Sequence, residues 1–140
     1  MKAVAAVNES GKTGRIESWV DDTGQILTVC YHGTVDAVEM HDHLGELTEL
    51  VRALPPGFVL ATDLSEVELI RSECVPLLRE VMENLRGAGV GTVVRLIPRP
   101  ERDIGFAILS VFHYSSNVHC VTCETRAEWE HSLEDERTAV

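Results

Sequence analysis

Aromatic residues are scarce: phenylalanine, tryptophan and tyrosine make up 5% of the 140 residues. A core built from this chain must therefore be mainly aliphatic. Basic residues are scarce too, with 12 lysines and arginines against 23 aspartates and glutamates and a formal net charge of −11. A field of that sign repels phosphate backbones and anionic lipid, which argues against nucleic-acid or membrane-surface binding by the domain as a whole. A basic protein surface is a compatible partner, although solubility alone also accounts for the charge. Long apolar runs are absent. No stretch approaches the ~20 residues of a transmembrane helix, and the apolar start from Met1 to Val7 is too short for a signal peptide. The expectation is a cytoplasmic protein with no membrane insertion. Cysteine is limited to Cys30, Cys74, Cys120 and Cys123. Without an export signal, these are expected as reduced thiols and not as a disulfide frame.

What is present fits one globular domain. Apolar residues are 44% and charged residues 25%, and the length suffices for a core without staples. Residues 1–14 read as a flexible arm, 15–133 as the domain and 134–140 as an acidic tail. Arg15 to Asp21 alternates apolar and polar, the mark of a half-exposed strand. Asp22-Thr23-Gly24 is turn chemistry. Ile26 to Tyr31 is almost wholly apolar, as in a strand covered on both faces. Thr34 is positioned to cap a helix whose stripe is Ala37, Met40, Leu44, Leu47, Val51 and Leu54, with Glu39, Asp42, His43, Glu46 and Glu49 outside. Pro55-Pro56-Gly57 stops it. Phe58 to Thr62 reads as a short buried strand ending at Asp63, followed by a loop from Leu64 to Arg71. Ser72 then caps a second helix, with Pro76 in its first turn and Val75, Leu78, Val81, Met82 and Leu85 inward. A strand over Val90–Ile97, a helix from Pro100 to His113, a strand over Val118–Cys123 and a last helix capped by Thr125 complete the order β-β-α-β-α-β-α-β-α. Successive βαβ units require a mostly parallel sheet with helices on its faces, and the first strand should run antiparallel at an edge. The expectation is a single α/β domain with a five-stranded sheet.

Catalytic and metal motifs are thin. Gly11-Lys12-Thr13 mimics the end of a phosphate-binding loop, but Ala6 occupies the place of the second glycine and a strand pattern follows it. Cys120-Val121-Thr122-Cys123 spaces two thiols three apart on a strand, where they point to opposite faces, so neither zinc nor redox chemistry is indicated. His41 and His43 are two apart on a helix and do not share a face. No cofactor or metal is expected. At the strand C-terminal ends, where α/β proteins place their sites, stand His32, Asp63, Ser65, Arg99 and Glu124. Asp63 is the strongest functional candidate among them, and it could equally be a turn former bonding the backbone of Ser65 and Glu66.

From about Arg15 to Glu130 the chain resembles the STAS superfamily, in particular its divergent anti-sigma factor antagonist-like branch. The element order agrees. Gly33-Thr34-Val35-Asp36-Ala37 is similar to the family's glycine and acidic start of the first helix. Leu60-Ala61-Thr62-Asp63-Leu64-Ser65 is similar to its leucine-aspartate-leucine-serine strand. The resemblance implies a non-catalytic regulatory or protein-interaction domain of a bacterial type, with its partner surface on residues 63–75. It assigns partner contacts to Asp63, Ser65, Arg71, Ser72 and Glu73. Classical members carry a phosphorylated serine in an Asp-Ser-Ser-Gly stretch. An ungapped comparison sets Arg71-Ser72-Glu73-Cys74 on those four positions, so that Glu73 stands where the phosphorylated serine would. Two other readings compete with this one: a small-ligand or lipid-binding domain using the crevice at the strand ends, and a hydrolase using Asp63 with a histidine. The helix from Pro100 to His113 is apolar around much of its circumference, so Phe106 and Leu109 are candidates for a homodimer or partner contact.

Overall fold

The computed structural model describes residues 14–97 and 118–138. The described elements are β1 (Arg15–Val20), β2 (Ile26–Val35), α1 (Ala37–Leu50), a 3₁₀ turn (Val51–Ala53), β3 (Val59–Ile70), a second 3₁₀ turn (Ser72–Cys74), α2 (Val75–Gly87), β4 (Thr92–Leu96), β5 (His119–Cys123) and α3 (Arg126–Thr138). The five strands form one sheet in the order β1-β2-β3-β4-β5. β1 pairs antiparallel with β2, and every other pairing is parallel. This is the expected α/β architecture with its antiparallel edge strand. The expected helix over 100–113, and with it Phe106 and Leu109, lies outside the described residues.

Strand alternation divides the core in two. Leu27, Val29, Leu60 and Val93 point to the face that α1 and α2 cover. Ile26, Val59, Ala61, Val94 and Leu96 point to the other face, under Trp129 and Leu133 of α3. The two cysteines of β5 follow the same rule: Cys120 packs against the first cluster and Cys123 belongs to the second.

Four local expectations are corrected. First, the segment expected as a loop from Leu64 to Arg71 is strand, since β3 continues to Ile70. Leu64, Val67 and Ile70 are all buried in the first cluster although they are three residues apart. A regular strand would turn Val67 away from Leu64. The β2–β3 register shifts between Cys30 and His32 and again between Gly33 and Thr34, and each extra residue in β3 returns the next apolar side chain to the core. Gly33 has φ +66° at the second shift, a conformation glycine adopts without steric cost.

Second, α1 is capped not by Thr34 but by Asp36, because β2 runs on to Val35. Asp36 Oδ1 accepts from the N–H of Val38 at 2.9 Å and of Glu39 at 3.2 Å, and Glu39 Oε1 accepts from the Asp36 N–H at 2.8 Å. This is a reciprocal capping box. Third, Ser72 does not cap α2. It opens the 3₁₀ turn, and Cys74 occupies the cap position with no side-chain cap bond. Fourth, His43 is not on the outer face of α1. It is 2% exposed, its ring edge-to-face with Tyr31 at 5.9 Å between centroids, because Met40, His43 and Leu47 form the buried stripe.

Thr125 does cap the last helix. Its hydroxyl accepts from the Glu128 N–H at 3.1 Å, and Glu128 Oε1 accepts from the Thr125 N–H at 3.2 Å. Residues 134–138 continue α3.

Candidate functional site

The residues singled out in the sequence fall into two places along β3. Asp63 and Ser65 lie on the α3 side of the sheet. Arg71, Ser72 and Glu73 lie past the end of the strand, exposed, where α2 is about to begin.

Asp63 is 5% exposed. Its Oδ1 accepts from the Ser65 N–H at 2.8 Å and from the Ser65 hydroxyl at 2.6 Å, and its Oδ2 accepts from Arg126 Nη2 at 2.7 Å. The same Arg126 nitrogen donates to Ser65 Oγ at 3.0 Å, and its guanidinium lies 5.5 Å from the centroid of the Trp129 ring. Burial pushes the Asp63 carboxyl up, but the bonds from Ser65 and Arg126 outweigh it and hold the group below the ordinary carboxylate value. Beside it, burial and the charges of Asp63 and Glu17 push the Cys30 thiol up to about 12. The arrangement is a buried, satisfied carboxylate that ties the start of α3 to the centre of the sheet. Its acceptor sites are taken, which makes it a poor general base. His32 does not serve it: the His32 ring bonds Glu17 at 3.1 Å.

The second group gathers at two helix starts. The backbone of Arg71 pairs with the end of β2, its N–H donating to Val35 O at 3.0 Å, and so the N-termini of α1 and α2 are neighbours. Glu73 Oε2 accepts from the Ala37 N–H, the first of α1, at a long 3.4 Å. Glu73 Oε1 lies 3.8 Å from Arg71 Nε, with both side chains 54% exposed. Hydrogen bonding from Glu39 and from helix N–H groups holds Asp36 below the ordinary carboxylate value, and burial pushes Glu39 above it. The buried Cys74 thiol donates to Val35 O at 3.6 Å; burial, then the charge of Glu73, pushes it up to about 11. Val38, 68% exposed, and Leu69, 36% exposed, are two of the exposed large apolar side chains among the described residues. They flank this corner, Val38 in the first turn of α1 and Leu69 two residues before Arg71.

Two structural contributors to these groups were missed in the sequence. The Asp36-Ala37-Val38-Glu39 box carried a readable signal, an acidic residue followed three positions later by glutamate. Arg126 carried none, since it lies 63 residues from Asp63 in the chain.

Other sites receive little support. Among the described residues, no group of three His, Cys, Asp or Glu side chains could hold a metal ion, and no helix is long and apolar enough to cross a membrane. A cavity of about 10 Å³ lies between the sheet and α1 and α2, lined by Tyr31, His43, Leu60 and Leu78 among others. That is about the space of one water molecule.

Solved structures of anti-sigma factor antagonists are similar to this chain in fold. SpoIIAA in its unphosphorylated form superposes with a TM-score of 0.60 at 14% identity, covering 87% of this chain and 97% of its own. An anti-sigma factor antagonist from Mycobacterium paratuberculosis gives 0.55 at 21% identity, covering 89% and 97%. The Bacillus cell fate determinant SpoIIAA in the phosphorylated form gives 0.56 at 16% identity, covering 86% and 99%. The chain has the STAS-like fold. No family model matches the sequence, and no curated protein matches it.

Proposed function

We propose that this STAS-like chain is a non-catalytic cytoplasmic regulator that acts by binding another protein, as anti-sigma factor antagonists do. Its partner docks at the corner where β3 ends and α1 and α2 begin. The observation that carries this is Glu73. Its carboxylate stands at the start of one helix and accepts from the first N–H of the other, at the position that the family resemblance pairs with a phosphorylated serine. Helix N-termini favour anions. A phosphoserine would bring about −1.5 to −2 charges and three acceptor oxygens, against one charge on glutamate. Glu73 supplies part of that charge permanently, so the domain stays in one binding state and is not switched by modification at position 73.

The chemistry of the corner also describes the partner. Asp36 and Glu73 act on Arg71 there, Glu39 closes the cap of the same helix start, and Val38 and Leu69 are exposed at this corner. A basic surface carrying an apolar anchor is complementary to this arrangement. The hydrolase reading draws less support, because the Asp63 carboxylate is engaged by Ser65 and Arg126.

Native mass spectrometry of protein purified from its own host tests the reading. A co-purified protein should be present with the wild-type chain and be lost with Glu73→Ala, while the melting temperature of the variant stays close to wild type. A co-purified small molecule in place of a protein, or a partner indifferent to Glu73, would overturn it.

A further inference from the structure

α3 is held to the molecule differently from α1 and α2. α2 buries Leu78, Val81 and Leu85 in the larger core cluster, and α1 buries Met40 and Leu47 there with His43 packed edge-on to Tyr31. α3 buries only Trp129 and Leu133 out of its 13 residues. These two are four positions apart and so form a single stripe. They cover a separate, smaller apolar strip made of Ile26, Val59, Ala61, Val94, Leu96 and Cys123. Polar ties at the two ends complete the attachment. In the first turn, Arg126 binds Asp63 and Ser65. In the last turn, Arg137 Nε binds Asp21 Oδ2 at 3.2 Å. Asp63 lies within β3 and Asp21 in the turn between β1 and β2, so α3 is pinned at opposite ends of its path over the sheet. Between the pins, the Trp129 indole N–H donates to Val94 O at 3.1 Å.

We propose that α3 is a releasable strap, which lifts from the sheet as one unit while the five strands, α1 and α2 remain folded. Three features favour a concerted release. The two apolar anchors share one stripe, so neither can leave far without the other. The arginine side chains at the pins are 51% and 34% exposed, open to competition from water and salt. The cluster under α3 shares no residue with the larger cluster on the opposite face, so its exposure leaves the main core intact. Sub-global openings of this kind involve units with few buried apolar contacts. Among the described residues, lifting α3 uncovers the buried Asp63 carboxylate and the apolar strip, and frees the partly exposed Ser65 hydroxyl from Arg126.

Hydrogen exchange followed by mass spectrometry on the full chain reads this directly. Amides of α3 should exchange together, at least roughly tenfold faster than those of β3 and α2, through an opening below the global one. The double substitution Arg126→Gln with Arg137→Gln should speed α3 exchange further and leave α1, α2 and β3 unchanged. In a Trp19→Phe background Trp129 is the sole indole of the chain, and acrylamide quenching should rise with the double substitution. The wild-type comparison stands even if the substituted chain folds poorly. Exchange of α3 no faster than that of β3 would overturn the proposal. So would a uniform loss of protection in the variant, or progressive fraying from Thr138 with Trp129 still shielded.

Discussion

Asp63 shows how one side chain can look like a site in the sequence and act as a tie in the fold. A carboxylate after an apolar strand marks either an active-site base or a local turn former. The serine two residues on is legible as a local partner; the arginine that completes the ion pair comes from the far end of the domain and is not. Its held-down pKa gives a pH prediction with a definite sign. The folded value lies below the unfolded one, so ionised Asp63 contributes stability above about pH 4 and loses that contribution as pH falls through the folded value. Asp63→Asn should cost about 1–3 kcal/mol at neutral pH, the usual range for a buried hydrogen-bonding group deprived of its partner. Its stability should also fall less steeply than wild type below pH 4. Urea melts across pH would show this, and an unchanged acid slope would contradict the assignment. The same neighbourhood makes a chemical prediction. With their thiols pushed up to about 12 and about 11, Cys30 and Cys74 hold almost no thiolate at neutral pH, and both are buried. Both should resist iodoacetamide in the native protein and react on unfolding. Peptide mapping would reveal either one labelling early.

At the scale of elements, the alternation and spacing of apolar residues located all five strands and the three described helices. Boundaries failed where a regular period was broken on purpose. Leu64, Val67 and Ile70 are three apart and lack the period of a strand, and they read as a loop until bulges supply the extra residues. Ile70→Ala separates the two descriptions. A core strand position should lose about 2–5 kcal/mol, whereas a loop position would stay within about 0.5 kcal/mol. The capping box makes a second test, in which Asp36→Ala should cost about 0.5–2 kcal/mol by freeing first-turn N–H groups of α1. Equal stability of the variant and the wild type by thermal melting would mean that the box contributes nothing. The cap was legible, but Thr34 two residues earlier offered a competing hydroxyl. Only the length of β2 decides between the two positions.

For the whole molecule, element order carried the fold, because consecutive βαβ units leave few topologies open. Function was less legible. A net charge of −11 argues against anionic partners without naming a partner, and the corner proposed for docking is assembled from the ends of β2, β3, α1 and α2, which no local pattern joins. This corner, and Glu73 within it, is proposed to contact a protein partner. A photo-crosslinking amino acid placed at position 73 in the native host tests it most directly, with the same group at position 83, on an exposed face of α2, as the comparison. One protein should crosslink from position 73 and not from position 83, with the product suppressed when the exposed Val38 is changed to lysine, which removes the apolar contact and repels a basic partner. No product from position 73, or the same products from both positions, would contradict it.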